Sequence, residues 1–309
     1  MKTYLVLLGM ALACQTALAQ LVTETFGTGT DAFSIDFVTI GNPGNASDNP
    51  LGAVAYTYNL GKYEVSRELI TKANAVGGLN ITMSDLSDYG GNGVNRPATG
   101  VSWYEAAKFV NFLNTSKGYQ AAYNFDGSGN FQLWGAGQYS GTNQYRHKDA
   151  IYVLPTIDEW YKAAYGSPGG TWYDYPTGSD SAPSAVASGV APGTAVFNKA
   201  GPADINNAGG LSAYGTMAQG GNAWEWTETA YDGVNNTASE DREMRGGYWG
   251  GGSLDMGSFF HDPISPTAEE AYGIPTGFRV ATVPEPSTGL LVALGLGGLL
   301  LQRRKTGSL

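Results

Sequence analysis

The chain has 309 residues and a formal net charge of −10, with 17 Lys plus Arg against 27 Asp plus Glu. This acidic balance argues against nucleic acid or an anionic lipid surface as a partner and is compatible with cation binding. There is one cysteine, Cys14, and there are two histidines, His147 and His261. A chain processed beyond residue 14 therefore has no disulfide, no thiolate metal site and no cysteine nucleophile.

The N-terminus reads Met1-Lys2, an apolar run over residues 4–13, then Ala17-Leu18-Ala19 before Gln20. A positive start, a short apolar core and small residues at the minus-three and minus-one positions form a signal peptide over residues 1–19, cleaved between Ala19 and Gln20. The run is too short for a permanent membrane span. Leu12-Ala13-Cys14 loosely resembles a lipoprotein signal and is the alternative. Residues 20–282 then suffice for one large core.

Strand-like runs are expected at Phe33–Ile40 and over residues 53–60, separated by a Gly/Asn/Pro turn cluster at 41–50. Residues 66–76 read as a helix stopped by Gly77-Gly78. Ser102-Trp103-Tyr104-Glu105 is a capping box, followed at helical spacing by Ala106, Ala107, Val110 and Leu113 up to Gly118. Thr156-Ile157-Asp158-Glu159 is a second one, delivered by Leu154-Pro155 and closed by Gly166. Between these helices, Asn124-Phe125-Asp126-Gly127-Ser128-Gly129-Asn130 imitates the start of a calcium loop. The closing carboxylate is missing, because Gly135 stands in its place, so a hairpin turn between 121–125 and 131–134 is expected. Residues 167–192 read as a long polar surface loop.

In Trp224-Glu225-Trp226 the two indoles fall on one face of an extended segment and Glu225 on the other. A glutamate inside an aromatic core must be paired or bound to a cation, and Arg245 and Arg279 are the pairing candidates. Leu254, Phe259 and Phe260 are expected to fill the region 250–263.

The C-terminus carries Pro284, Glu285 and Pro286, an apolar stretch over 289–301, and Arg303-Arg304-Lys305. As a helix the stretch would reach only about 20 Å, short of the roughly 30 Å hydrocarbon core. It is a marginal, transient span with its basic cluster on the cytoplasmic side. Residues 283–305 resemble PEP-CTERM sorting signals of Gram-negative bacteria. That resemblance implies an exosortase-type sorting enzyme as partner and display at the cell surface or in the extracellular matrix. Removing both ends strips Lys2, Arg303, Arg304 and Lys305 but only Glu285 among the acids, so the processed domain is more acidic still.

Several motifs between 33 and 282 occur together: Lys62-Tyr63-Glu64-Val65-Ser66, Arg96-Pro97, Val101-Ser102-Trp103-Tyr104-Glu105-Ala106, Leu154-Pro155-Thr156-Ile157-Asp158-Glu159-Trp160, Tyr214-Gly215, Gly221-Asn222-Ala223-Trp224-Glu225-Trp226-Thr227, Met244-Arg245-Gly246-Gly247 and Gly277-Phe278-Arg279-Val280. In this order they resemble the formylglycine-generating, or sulfatase-modifying factor, family. The resemblance implies a single irregular, loop-rich α+β domain with a C-type-lectin-like fold. It also implies a structural calcium ion on Glu225 and the carbonyls of Gly221 and Ala223, with Ala218 where the family supplies an oxygen side chain.

The family's enzyme oxidises a substrate cysteine with copper held by two cysteines. Gly251 and Met256 stand in their places, and a thioether cannot replace a thiolate pair that selects Cu(I). A sulfoxide-synthase branch uses iron, which here would require His147, His261 and a carboxylate such as Asp262 or Asp255 to converge. Calcium is therefore the cofactor to consider, and a redox metal is not expected. The reading that follows is an exported non-catalytic binding or structural module for exopolysaccharide or a peptide, with a rebuilt metal-dependent oxidoreductase as the alternative.

Overall fold

The computed structural model describes residues 20–271 and 274–284. The signal segment with its Ala19 boundary, and Glu285 and Pro286 of the sorting segment, lie outside the described residues; Pro284 is exposed. Among the described residues, fourteen short strands and three α-helices follow one another in this order: β1 (Leu21–Phe26), β2 (Phe33–Ile40), β3 (Tyr58–Gly61), α1 (Arg67–Gly77), α2 (Trp103–Ser116), β4 (Asn124–Phe125), β5 (Phe131–Gln132), β6 (Tyr152–Val153), α3 (Ile157–Tyr165), β7 (Ser184–Ala185), β8 (Thr194–Ala195), β9 (Trp224–Ala230), β10 (Arg242–Arg245), β11 (Asp262–Ile264), β12 (Glu270–Ala271), β13 (Ile274–Phe278) and β14 (Ala281–Thr282).

One five-stranded sheet runs β1-β2-β3-β14-β6 and the other β11-β10-β9-β13-β12. β14 pairs with both β3 and β6, and so carries the end of the domain into the first sheet. The parallel pairing of β13 with β9 joins the same end to the Trp-Glu-Trp strand. The C-terminal strands thus tie the two sheets together.

The helices begin where side-chain oxygens can satisfy their free amides. Ser66 caps α1, which ends at Gly78 in the left-handed region (φ 62°). Both expected capping boxes form, Ser102 with Glu105 on α2 and Thr156 with Glu159 on α3. The first expected strand matches β2. The second is shorter than expected, because residues 53–57 stay irregular and only Tyr58–Gly61 pairs with β2. The hairpin at β4–β5 also forms, and Asp126 spends its carboxylate on Ser128 N, Asn130 N and the Asn130 amide.

Aromatic side chains dominate the core. Trp103 is fully buried, edge-on to Tyr123 and Phe131. Arg242 is buried over the Trp103 and Tyr145 rings, 4.6 and 4.1 Å from their centroids. Ring quadrupoles and two chain carbonyls, those of Glu240 and Ala238, stand in for a carboxylate there. Residues 167–192 include one strand, β7, paired in parallel with β8. No helix among the described residues is long and apolar enough to cross a membrane.

Candidate functional site

The centre of the second sheet holds a buried charge network. Glu225 on β9 is fully buried, flanked by β10 and by β13. Arg279, just past β13, donates from Nη2 to Glu225 Oε1 (2.5 Å) and from Nε to Oε2 (2.6 Å). Trp160 Nε1 donates to the same Oε2 at 2.6 Å. Arg279 also donates to the carbonyls of Gly61 and Met217, so one guanidinium ties together both sheets and the loop before β9.

Of the two expected pairing candidates, Arg279 is the partner. Arg245 instead donates to the Ser258 and Phe260 carbonyls. Beside the pair, Glu64 accepts from the Asn222 amide (2.6 Å) and from Ala223 N (3.1 Å). Burial, together with the nearby Glu225 charge, pushes the Glu64 carboxyl well above its usual range, and Arg279 offsets part of that.

Gly221 (φ +77°), Asn222 (φ +62°) and Ala218 (φ +61°) turn the chain into β9. At Gly221 a Cβ would lie 2.3 Å from the Val196 carbonyl oxygen, so only glycine fits. The donor set does not fit calcium. Ala218 brings no oxygen side chain, both Glu225 oxygens face a guanidinium, and calcium takes six to eight oxygens.

Arg146 makes a second network, pairing with Glu159 on α3 (3.2 Å) and Glu228 on β9 (2.9 Å). Burial alone would raise the Glu159 carboxyl, but Arg146, Tyr56 Oη and Thr156 N outweigh it and hold the carboxyl below its usual range.

Two cavities flank α3. One, of about 410 Å³, lies among Leu51, Tyr161, Glu243, Arg245, Phe259 and His261. Its wall includes a hydrogen-bond contact between His261 Nδ1 and Glu243 Oε2 at 3.0 Å. Leu254 and Phe259 do not fill this region as expected; they are 62% and 65% exposed. Only Phe260 turns inward, onto Trp224. The interior is already occupied by fully buried Met256 and Tyr165, and Arg245 pins the Ser258 and Phe260 carbonyls, which leaves Phe259 on the rim. The other cavity, of about 250 Å³, lies among Asn42, Lys162, Thr171, Trp172 and Tyr214.

Gly251 sits directly under Asp255, whose carboxylate accepts from Gly252 N. A Cβ at Gly251 would lie 2.3 Å from Asp255 Oδ2 and 3.0 Å from the Tyr248 ring. Met256 is a core residue whose carbonyl accepts from Tyr165 Oη.

Comparison with known proteins supports the same architecture. The Sulfatase-modifying factor enzyme 1-like domain family (FGE-sulfatase) matches residues 47–283. The chain belongs to this family. Residues 282–305 match the PEP-CTERM protein-sorting motif. That motif marks the protein for export, for C-terminal membrane anchoring and for processing by an exosortase-type sorting enzyme. Treponema denticola variable protein 1 is similar in fold, with a TM-score of 0.56 at 20% identity, over 85% of this chain and 99% of that one. The crystal structure of CarF gives a TM-score of 0.55 at 20% identity, over 81% and 98%. Comparison with curated proteins finds no match.

Within this sulfatase-modifying factor domain the iron set named from the sequence does not assemble. His147 lies edge-on to Trp134 with Asp149 N on its Nδ1. His261 stacks on Tyr231 and faces Glu243, and Asp262 sits on β11 opposite Met244. Among the described residues no group of three or more His, Cys, Asp or Glu could hold a metal. The two histidines line different cavities, His147 beside Arg146 and His261 beside Glu243. Sequence reasoning missed Arg146 and Lys162. Both look like surface cations in a linear string, and only the packing of α3 buries them.

Proposed function

We propose that this exported sulfatase-modifying factor domain is a non-catalytic binding module, displayed at the cell surface or in the surrounding matrix, with exopolysaccharide or a peptide as ligand. The observation that carries this reading is the Gly251 position. The position that the family resemblance gives to a catalytic sulfur holds a glycine, and a Cβ there would lie 2.3 Å from Asp255 Oδ2, so a side chain enters only if Asp255 moves aside. Met256, at the other cysteine position, is packed as a core thioether. Copper chemistry that depends on a thiolate pair has no ligands here.

What remains suits binding. The cavity at Tyr161 and His261 is open, with Phe259 exposed at its rim. An apolar wall with a few fixed polar groups is the usual make-up of a ligand site.

Elemental analysis by mass spectrometry of the exported protein, purified without a metal-binding tag, tests the reading. No redox metal is expected. Near-stoichiometric iron or copper, lost on replacing His147 or His261, would establish the oxidoreductase instead.

A further inference from the structure

Lys162 is a buried cation without a carboxylate partner among the described residues. It lies on α3 and is 1% exposed. Its one hydrogen bond runs from Nζ to the Asn42 carbonyl, at 2.9 Å. Among the described residues no carboxylate lies within ion-pair distance of it, although the chain carries 27 acidic side chains. Arg146 and Arg279 hold carboxylates, whereas Arg242 and Arg245 hold carbonyls and lie over rings, as Lys162 does with the Asn42 carbonyl and the Tyr58 ring, 6.0 Å from its centroid; Lys162 differs in lining a cavity beside Trp172. An ammonium has three donors, and here a single acceptor is provided. Burial without a counter-charge brings its pKa down to about 8.

The amine is held at the wall of the 250 Å³ cavity, since both Lys162 and Asn42 line it. That wall is shaped for the purpose. Asn42 adopts φ +54°, which turns the chain at the rim, and Gly170 (φ +84°) lies across from its amide. Trp172 also lines the cavity, its ring tilted at 51° to that of Tyr161 with 5.7 Å between centroids. Thr171, Ser167 and Asn45 add polar groups.

The geometry points to this cavity as a binding site for the carboxylate of an acidic sugar, with Lys162 as its counter-ion and Trp172 as the face for the sugar ring. The inference deepens the binding-module reading and rests on it. A cavity of 250 Å³ is below the usual range for drug-sized ligands, so it accommodates one small residue rather than a length of polymer. One ammonium balances one negative charge, which favours a carboxylate over a phosphate dianion. An acidic domain repels polyanions in general, so a single buried cation gives selectivity for one carboxylate presented on a neutral ring.

Calorimetric titration of the exported protein with D-glucuronate, D-glucose and inorganic phosphate tests it, in wild type and in Lys162→Met. Glucuronate is expected to bind at least about tenfold more tightly than glucose or phosphate, and to lose at least that factor in Lys162→Met. Should that variant fail to fold, NMR of isotope-labelled lysine in the wild type replaces it, and glucuronate must shift the buried lysine signal. Equal binding of phosphate, no discrimination against glucose, or an unmoved lysine signal overturns the proposal. Binding of polygalacturonate that Lys162→Met leaves unchanged would overturn this cavity yet leave the binding module standing. A stoichiometric redox metal would sink the module reading whatever the sugar does.

Discussion

Arg279 grips Glu225 through two nitrogens, at 2.5 and 2.6 Å, with both side chains fully buried. The pair is the junction of the fold, because the same guanidinium donates to Gly61 at the end of β3 and to Met217 before β9. Replacing Arg279 with Met leaves Glu225 charged with only the Trp160 indole as donor. A loss of about 3–5 kcal/mol is expected, read as a lower midpoint in urea unfolding. Glu225→Gln should cost less, because the stranded Arg279 cation keeps the Gly61 and Met217 carbonyls as acceptors and Glu64 loses the like charge beside it.

The Arg146 network makes stability depend on acid. Glu159 is held below the usual carboxyl range when folded, against the effect of burial. A depressed folded pKa stabilises above the unfolded value, and that contribution is lost as pH falls through the folded one. Arg146→Met removes the cation, so burial then raises the Glu159 carboxyl. The variant is therefore destabilised most near neutral pH, where Glu159 is charged without its cation, and acid relieves that cost by protonating it. Urea unfolding measured from neutral pH down to pH ~3 should show the gap between the two proteins widest near neutrality and narrowing toward acid.

Ala218 and Asn222 share one backbone region, with φ +61° and +62°, but should respond oppositely to glycine. An L-residue in the left-handed region costs roughly 1–2 kcal/mol, so Ala218→Gly is expected to gain about 0.5–1 kcal/mol after losing a methyl and unfolded-state restriction. Asn222 does more than turn the chain. Its amide donates to Glu64 and its oxygen accepts from Ala203 N. Asn222→Gly should therefore destabilise by about 2–3 kcal/mol, since two buried groups lose their partners. Thermal unfolding of both variants in parallel checks the opposite signs.

Restoring sulfur alone should not restore copper. In Gly251→Cys/Met256→Cys the new Cβ meets Asp255 Oδ2, with overpacking expected to cost about 1–3 kcal/mol. Competition against a Cu(I) chelator is expected to show no gain over wild type for the double variant. A gain is expected only once Asp255→Ala opens the space. Tight Cu(I) binding by the double variant would show that the Asp255 side chain yields readily.

Helix starts and the buried-acid strand were legible in the linear sequence, because they depend on neighbours a few residues apart. Ser102 with Glu105 and Thr156 with Glu159 declare two helix starts, and alternation in Trp224-Glu225-Trp226 declares a strand with a buried acid, because these patterns are satisfied within one turn or one pleat. Absence was legible too: without cysteine at 251 or 256, thiolate chemistry ended before any folding was considered. The tertiary structure decided what depends on long-range packing. It chose Arg279 over Arg245 for Glu225, because β13 runs parallel beside β9 and brings Arg279 to the carboxylate. It turned Leu254 and Phe259 outward, because Met256 and Tyr165 already filled the space beneath them. It also buried Lys162 without a carboxylate, and no local pattern encodes that, since burial of a charge is set by which distant segments fold over it.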